Sequence, residues 1–239
     1  MRNFSLNIPE EVNRLVADRL SSLLFAPTKT AVENLKNEGL TQNVFLTGDV
    51  MYDSLIHFQK RALKESKILD DLDLQSKQYI LATIHRQENT DNLKNLFEII
   101  SALNESGEVI VFPIHPRTRA CLSQIPLKLN EEKIKILNPV GYLDSINLIS
   151  NAKKVITDSG GVQKEAYIMK TPCITIFENT SWPETVEDGF NILSSVIKEE
   201  LLNHINTFSA LNSRYNFHYG EGDAANKICH HIINYLQEN

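Results

Sequence analysis

The chain contains 239 residues, of which 42% are hydrophobic, and carries a formal net charge of −6. This composition predicts a globular protein with a buried core, and the acidic balance argues against nucleic acid as a partner. No apolar run approaches the roughly 18 residues that a membrane span requires, and residues 1–11 lack the apolar segment of a secretory signal. With three cysteines and no CxxC spacing, the sequence predicts a cytoplasmic protein without membrane contact.

Short apolar runs alternate with amphipathic stretches along the chain. Apolar residues recur every three or four positions from Leu93 to Leu103, which predicts a helix that Asn89 or Thr90 caps and Gly107 ends. Eight runs rich in apolar residues are predicted to be strands. They are residues 23–27, 43–48, 79–85, 108–115, 133–139, 154–160, 173–177 and 190–194.

This alternation predicts the fold class. Strands and helices that alternate at this spacing form right-handed βαβ crossovers, so we expect an α/β fold with a doubly wound parallel sheet. Six of the strands fall within residues 79–194, enough for one complete domain. Residues 1–50 contain only two strands and two helices, too few to bury a sheet alone. The polar segment 59–78 is expected to be a helix end and a linker.

Polar residues follow the predicted strands at the positions where parallel sheets bind ligands, beyond the carboxyl ends of the strands. The sequence HRQEN begins at His85 and the sequence HPRTR begins at His115, after the next strand along the chain. Two histidines at neighbouring strand ends are hard to explain by packing. They predict a ligand site at this edge of the sheet.

Gly160 and Gly161 stand where a strand gives way to a helix. Their N–H groups would be exposed at the positive end of that helix, with Ser159 as a further donor, and this arrangement favours a phosphate. Glu165, about one turn later, is placed to accept hydrogen bonds from a ribose diol. The alternative is that Asp158 or Ser159 caps the helix and the glycines only relieve a tight turn.

Eight segments of the chain together resemble the non-hydrolysing UDP-N-acetylglucosamine 2-epimerases. Each segment alone is a weak signal, but all eight occur in the order of the family and extend across nearly the whole chain. The segments are NIPEEVNR (7–14), FAPT (25–28), TGD (47–49), TIHRQENTDN (83–92), IHP (114–116), TDSGGVQKEA (157–166), PETVEDG (183–189) and YGEGDAANKI (219–228).

The resemblance implies a glycosyltransferase-B-like architecture, in which two Rossmann-like domains face a cleft that holds a nucleotide sugar. Residues 1–58 would then be the remnant of the first domain, 59–78 the helix end and linker, 79–225 the UDP-binding Rossmann-like domain and 226–239 a C-terminal helix. Family members run longer at the amino end. We therefore expect a truncated chain that retains UDP binding without full activity, from a family whose full-length members are homodimers.

The resemblance also implies a reaction, the inversion of C2 in UDP-N-acetylglucosamine. UDP is eliminated to give 2-acetamidoglucal and then re-added, and no cofactor or metal is needed. By matching position, Glu10 is implied as an acid/base group, and His85 is implied near the diphosphate, where it helps the leaving group depart. The residues implied in binding the UDP-sugar are Arg86, His115, Ser159, Gly160, Gly161 and Glu165.

Other interpretations stay open for several of these residues. Residues 7–10 also form a good capping sequence for the following helix, and His85 could be a strand-end histidine that the backbone satisfies. The family commonly has Arg-x-x-Thr-Glu-Arg before Pro-Glu, whereas this sequence has Phe177 and Trp182 in place of the two arginines. Trp182 could equally belong to the core.

The tryptophan also widens the choice of substrate. It occurs in branches of the family that act on UDP-diacetamido-uronic acids, so such a sugar is one alternative. A nucleotide-sugar-binding module without catalysis is another. A glycosyltransferase of the same architecture is disfavoured, because the segments HRQEN and PEEVNR resemble the epimerases specifically.

Overall fold

A computed structural model describes Arg2, residues 9–211 and residues 213–238 of the chain. All eight predicted strands are confirmed, each shorter than predicted. The strands are β1 Leu24–Ala26, β2 Val44–Leu46, β3 Ile80–Thr83, β4 Ile110–Pro113, β5 Ile134–Leu137, β6 Lys154–Thr157, β7 Cys173–Ile176 and β8 Asn191–Ser194. The helices are α1 Pro9–Leu20, α2 Lys29–Asn37, α3 Val50–Glu65, α4 Ile68–Asp71, α5 Gln87–Thr90, α6 Leu93–Glu105, α7 Pro116–Leu122, α8 Tyr142–Asn151, α9 Gly160–Ile168, α10 Pro183–Glu187, α11 Lys198–Thr207 and α12 Ala224–Glu238.

The chain divides into two compact units, Met1–His57 with Asn216–Asn239, and Phe58–Tyr215. The first unit contains the parallel pair β1–β2. Residues 216–225, expected in the UDP-binding domain, belong to this unit.

Within the first unit, two backbone segments approach closely at Gly48. The Asp49 N–H donates to the Tyr219 carbonyl at 2.9 Å, and a Cβ at Gly48 would come within 3.0 Å of the same oxygen. The glycine therefore permits this close approach of two backbone segments.

The second unit contains a sheet of six parallel strands in the order β5-β4-β3-β6-β7-β8. From β3 the chain proceeds outward through β4 and β5, then returns to the other side of β3 and proceeds outward again through β6, β7 and β8. This order confirms the predicted doubly wound α/β fold. It creates a switch point between β3 and β6, where the crossovers on the two sides diverge and leave a crevice for a ligand.

Buried apolar side chains hold this sheet between helices. Ile156 on β6 and Ile174 on β7 are fully buried in the same cluster as residues of α6 and α11. Lys154, also on β6, is buried as well, and its ammonium group donates to the carbonyls of Ile205 and Phe208 at the end of α11. The charge is thereby satisfied at the negative end of a helix.

The segment 59–78, expected to be a helix end and a linker, contains the end of α3, the short helix α4 and the residues that lead to β3. Ile68 and Leu69 pack against a core cluster of the second unit that includes Leu81 and Val155. Within the described residues, no helix is both long enough and apolar enough to cross a membrane.

The strongest helix prediction is confirmed in its extent but wrong in its cap. The side chain of Asn92 accepts hydrogen bonds from the N–H groups of Lys94 and Asn95 and so caps α6. Asn89 and Thr90 lie one turn earlier, in α5. Both are themselves helical residues, and their side chains donate hydrogen bonds within this region, Asn89 to a carboxylate and Thr90 to the carbonyl at position 86.

Candidate functional site

The candidate site lies at the switch point of the second unit, beyond the ends of β3 and β6. These strands pair in register, with Thr83 opposite Thr157. The two threonine hydroxyl oxygens are 2.6 Å apart. The residues that follow the two strands, which begin at Ile84 and at Asp158, therefore emerge side by side.

Asp158 connects these two segments. Its side chain is fully buried, and its carboxylate accepts hydrogen bonds from the N–H of His85 at 3.0 Å, the N–H of Arg86 at 2.9 Å and the side-chain amide of Asn89 at 3.0 Å. A buried carboxylate is tolerated when its oxygens have such partners. From the sequence, Asp158 was considered only as a helix cap, and this connecting role was missed. A negative residue beside a predicted anion site was the available signal.

The two predicted histidines lie next to each other. Their ring centroids are 6.1 Å apart, and the His85 side chain is 42% exposed. The Nδ1 atom of His115 accepts the N–H of Arg117 at 3.2 Å, which makes His115 the N-cap of α7. The buried hydroxyl of Thr118 donates to the carbonyl of Ile84 and connects α7 to the loop that carries His85. Hydrogen bonds therefore position both histidines, and both side chains remain exposed to a ligand.

The start of α9 is arranged as an anion site would be. The Ser159 hydroxyl accepts the N–H of Val162 at 3.5 Å, and the Gln163 N–H donates to the Ser159 carbonyl at 3.1 Å. The capping alternative for Ser159 is therefore realised. The N–H groups of Gly160 and Gly161 precede the first hydrogen bond of the helix, and both glycines are partly exposed. Capping by Ser159 leaves these two donors available.

Glu165 lies deeper in α9 and is only 7% exposed. Burial raises the pKa of its carboxyl group to about 7, although the charge of Lys164 and a hydrogen bond from Tyr142 act in the opposite direction. The group therefore changes its charge near neutral pH. As a carboxylate it accepts hydrogen bonds, and as an acid it can also donate one.

Two aromatic residues stand where the resemblance would place arginines, and each one contacts a cation. The Arg86 guanidinium carbon lies 4.2 Å from the centroid of the Phe177 ring. The Lys164 ammonium lies 4.2 Å from the centroid of the Trp182 ring. Trp182 is buried, and a Cβ at Gly160 would lie 3.5 Å from its indole nitrogen. Trp182 therefore packs against the start of α9, and positive charge is held beside both aromatic rings.

Glu10 belongs to the first unit, in the first turn of α1, and its side chain lies outside the part of the chain that the structure describes. The other seven predicted site residues all belong to the second unit. Among the residues with described positions, no group of three or more His, Cys, Asp and Glu side chains is arranged to hold a metal ion.

Comparison with known proteins gives consistent matches. A UDP-N-acetylglucosamine 2-epimerase homolog of Methanococcus maripaludis is 51% identical, with the alignment covering 95% of this chain and 65% of that protein. The UDP-2,3-diacetamido-2,3-dideoxy-D-glucuronate 2-epimerase of Pseudomonas aeruginosa is 38% identical over 97% of this chain and 65% of its own length. The chain thus spans slightly less than two thirds of these relatives.

Solved structures agree with the sequence matches. The crystal structure of Methanocaldococcus jannaschii UDP-GlcNAc 2-epimerase in complex with UDP-GlcNAc and UDP has a TM-score of 0.87 and 40% identity, over 98% of this chain and 67% of that one. The family profile described as UDP-N-acetylglucosamine 2-epimerase matches residues 1–233. The chain therefore belongs to the UDP-N-acetylglucosamine 2-epimerase family, as the eight segments predicted.

Proposed function

We propose that this chain binds a UDP-sugar at the switch point and serves the 2-epimerisation of UDP-N-acetylglucosamine. One observation carries the proposal: the buried Asp158 brings the loop with His85 and Arg86 beside the start of α9. The first turn of a helix, with two glycine N–H groups available as donors and an arginine nearby, fits a diphosphate. The solved relative in complex with UDP-GlcNAc and UDP supports the same ligand class.

The diphosphate would be held from two sides. The N–H groups of Gly160 and Gly161 and the hydroxyl of Ser159 supply donors from α9, whereas Arg86 and His115 approach from the loops after β3 and β4. Donors that are fixed before the reaction stabilise charge as it develops and need no reorganisation. Binding the diphosphate and promoting its departure are therefore the same task for these groups.

The proposed reaction has two balanced steps. A proton leaves C2 while the bond from C1 to the UDP oxygen breaks, so that a C1–C2 double bond forms and the electron pair of the broken bond stays on UDP. In the second step UDP re-adds to C1, and C2 receives a proton on the opposite face. This sequence needs acid/base groups on both faces of C2, and Glu10 is proposed for one of them. His85 is proposed to assist the departing oxygen.

Glu165 is proposed to bind the ribose. Its ionised form can accept hydrogen bonds from two vicinal hydroxyls. The pKa of about 7 means that both charge states are accessible near neutral pH, and a ligand that donates two hydrogen bonds favours the carboxylate.

Calorimetry with UDP and uridine tests the binding proposal. We expect UDP to bind more tightly than uridine, because only UDP has the diphosphate. Arg86→Gln should weaken UDP binding about tenfold or more without changing uridine binding, since a hydrogen bond to a charged group contributes about 1.5–3 kcal/mol. Arg61→Gln, which removes an exposed arginine paired with Glu65, is the matched control. Equal affinities for UDP and uridine would refute the diphosphate site.

Deuterium exchange separates catalysis from binding alone. An epimerase that removes the C2 proton incorporates deuterium at C2 of UDP-N-acetylglucosamine in D₂O, and His85→Gln should slow this exchange. UDP binding without exchange would mean that this chain binds the nucleotide sugar but does not catalyse the reaction alone. The UDP-diacetamido-uronic acid alternative, which the Pseudomonas aeruginosa relative supports, is tested by offering that sugar in the same exchange assay.

We further propose that the protein works in the cytoplasm as a homodimer. The family resemblance motivates this proposal. An apolar stripe on α1, formed by Val12, Val16 and Leu20, supports association, since these side chains are 41%, 53% and 81% exposed and their spacing places them on one helical face.

A further inference from the structure

We infer that Asp158 is a positioning residue that holds the His85 imidazole with its proton on Nδ1, so that Nε2 is the atom that exchanges a proton with the ligand. The ligand part of this statement rests on the proposed function, whereas the tautomer does not. Neither the sequence motif nor the resemblance assigned Asp158 any role beyond helix capping.

The first argument is the hydrogen-bond inventory of the Asp158 carboxylate. Its Oδ2 atom accepts from the N–H groups of His85 and Arg86 and from the amide of Asn89, at 2.9–3.0 Å. Its Oδ1 atom accepts from the His85 N–H at 3.1 Å and lies 3.4 Å from the His85 Nδ1 atom. An ionised carboxylate can only accept, so a hydrogen bond between Oδ1 and Nδ1 requires the proton to be on the imidazole.

Burial strengthens this preference. A distance of 3.4 Å is longer than the typical N–H···O separation of about 2.9 Å, so electrostatic attraction contributes more than hydrogen-bond geometry. Asp158 is fully buried, and water therefore screens its charge only weakly. Placing the Nδ1 lone pair against this charge would be repulsive. The Nδ1–H tautomer is favoured for both reasons.

The neighbouring His115 provides a contrast within the same site. Its Nδ1 atom accepts the backbone N–H of Arg117 at 3.2 Å. Because a backbone N–H only donates, Nδ1 of His115 carries the lone pair and its Nε2 carries the proton. The two imidazoles, with centroids 6.1 Å apart, therefore hold opposite tautomers. His115 offers a permanent N–H donor at Nε2.

The opposite tautomers suit the two histidines to different roles, His85 to proton transfer and His115 to binding. His85 can be protonated at Nε2 without losing its contact with Asp158, whose charge then balances the imidazolium. When the C1–O bond breaks and its electron pair remains on UDP, Nε2–H of protonated His85 can donate to that oxygen, and the proton can return to Nε2 when UDP re-adds. His115 would lose its capping hydrogen bond if Nδ1 were protonated. It is therefore suited to binding alone.

Nitrogen NMR of the histidine side chains reads the tautomers directly. The protein is labelled with ¹⁵N-histidine and measured at a pH about two units above the ordinary histidine pKa of about 6.5, so that the rings are neutral. Protonated and unprotonated ring nitrogens then differ clearly in chemical shift. His85→Gln and His115→Gln assign the two signals by their loss. We expect the proton on Nδ1 of His85 and on Nε2 of His115. A His85 ring that carries its proton mainly on Nε2 would overturn the inference.

Asp158→Asn makes the test sharper. Three donors converge on the Oδ2 position, so the amide oxygen of asparagine should occupy it and the NH₂ group should face Nδ1 of His85. An NH₂ donor requires a lone pair on Nδ1, and we therefore expect the His85 tautomer to invert while His115 stays unchanged. Asp188→Asn is the matched control, because Asp188 is another buried aspartate whose carboxylate accepts from the Tyr167 hydroxyl.

Each outcome decides the question. A folded Asp158→Asn protein with an unchanged His85 tautomer would overturn the inference, and if that variant does not fold by circular dichroism, the wild-type tautomer alone decides. UDP calorimetry on the wild-type chain separates this inference from the proposed function. Absent UDP binding with the expected tautomers would refute the proposed function only, and UDP binding with the opposite tautomer would refute the role of Asp158 only.

Discussion

The buried carboxyl group of Glu165 makes the stability of the fold depend on pH. Burial raises its pKa from an ordinary value of 4.5 to about 7. The folded state therefore favours the protonated acid, whereas the unfolded chain ionises freely above pH 4.5. As the pH rises through about 7, the native state must carry a buried charge, and the favourable contribution of the protonated acid is lost. The proposed ribose contact needs that same charged form.

We predict that Glu165→Gln stabilises the protein at pH 8 relative to pH 5. The shift of the pKa to about 7 corresponds to a penalty on the order of 3 kcal/mol at high pH, which glutamine does not incur. Urea denaturation at both pH values measures the difference. Glu187→Gln, an exposed control on α10, should show no such gain.

The same variant should affect UDP binding in the opposite sense. Wild-type affinity should increase as the pH rises through about 7, because the carboxylate is the form that accepts from the ribose diol. Glu165→Gln should bind more weakly and lose this step in a calorimetric pH series. Parallel pH dependences in the two proteins would show that Glu165 does not contact the ligand.

The loop after β7 is connected to two neighbouring segments by contacts between cations and aromatic rings. The loop after β7 supplies Phe177 and Trp182, while Arg86 follows β3 and Lys164 lies on α9. Lys164 is nine-tenths buried or more, so its charge is weakly screened, and a desolvated pair of this kind contributes up to about 2 kcal/mol. The contact of Lys164 with Trp182 therefore helps to fix α9 against this loop.

A double-mutant cycle tests this connection. Lys164→Met, Trp182→Leu and the double variant should give a coupling energy of about 1 kcal/mol in urea denaturation. A second cycle with Lys64→Met, which removes an exposed lysine of α3, should give no coupling to Trp182→Leu. Equal values in the two cycles would mean that the contact between Lys164 and Trp182 does not stabilise the fold.

The sequence predicted the elements better than their connections. Strands, the helix that ends before Gly107 and the glycine-rich start of α9 depend on local patterns, and all of them are present in the structure. The predicted cap of α6 was wrong because Asn89 lies in the separate helix α5, where its side chain donates to Asp158, a partner 69 residues distant. That partnership depends on β3 pairing with β6, which no local pattern encodes. The contact between Lys164 and Trp182 was missed for the same reason.

At the scale of the whole molecule, the apolar stripe on α1 predicts self-association. Val16 and Leu20 are 53% and 81% exposed, and covering such side chains removes apolar surface from water. Light scattering should report a dimer, and the variant Val16→Lys with Leu20→Lys should shift the protein toward monomer. Glu33→Lys, a charge change on α2, is the control. A wild-type protein that remains monomeric at all concentrations would contradict the proposed dimer.

The hydrogen bonds to Asp158 also order the events of biosynthesis. Asp158 lies 73 residues after His85, and ribosomes add about 5–20 residues per second. Asp158, which accepts from the N–H groups of His85 and Arg86, is therefore synthesised roughly 4–15 seconds after them. During that interval β3 lacks its β6 neighbour and the loop has no anchor. The nascent chain thus acquires its proposed nucleotide site only after the crossover to β6 is complete, so UDP cannot assist the folding of the earlier half.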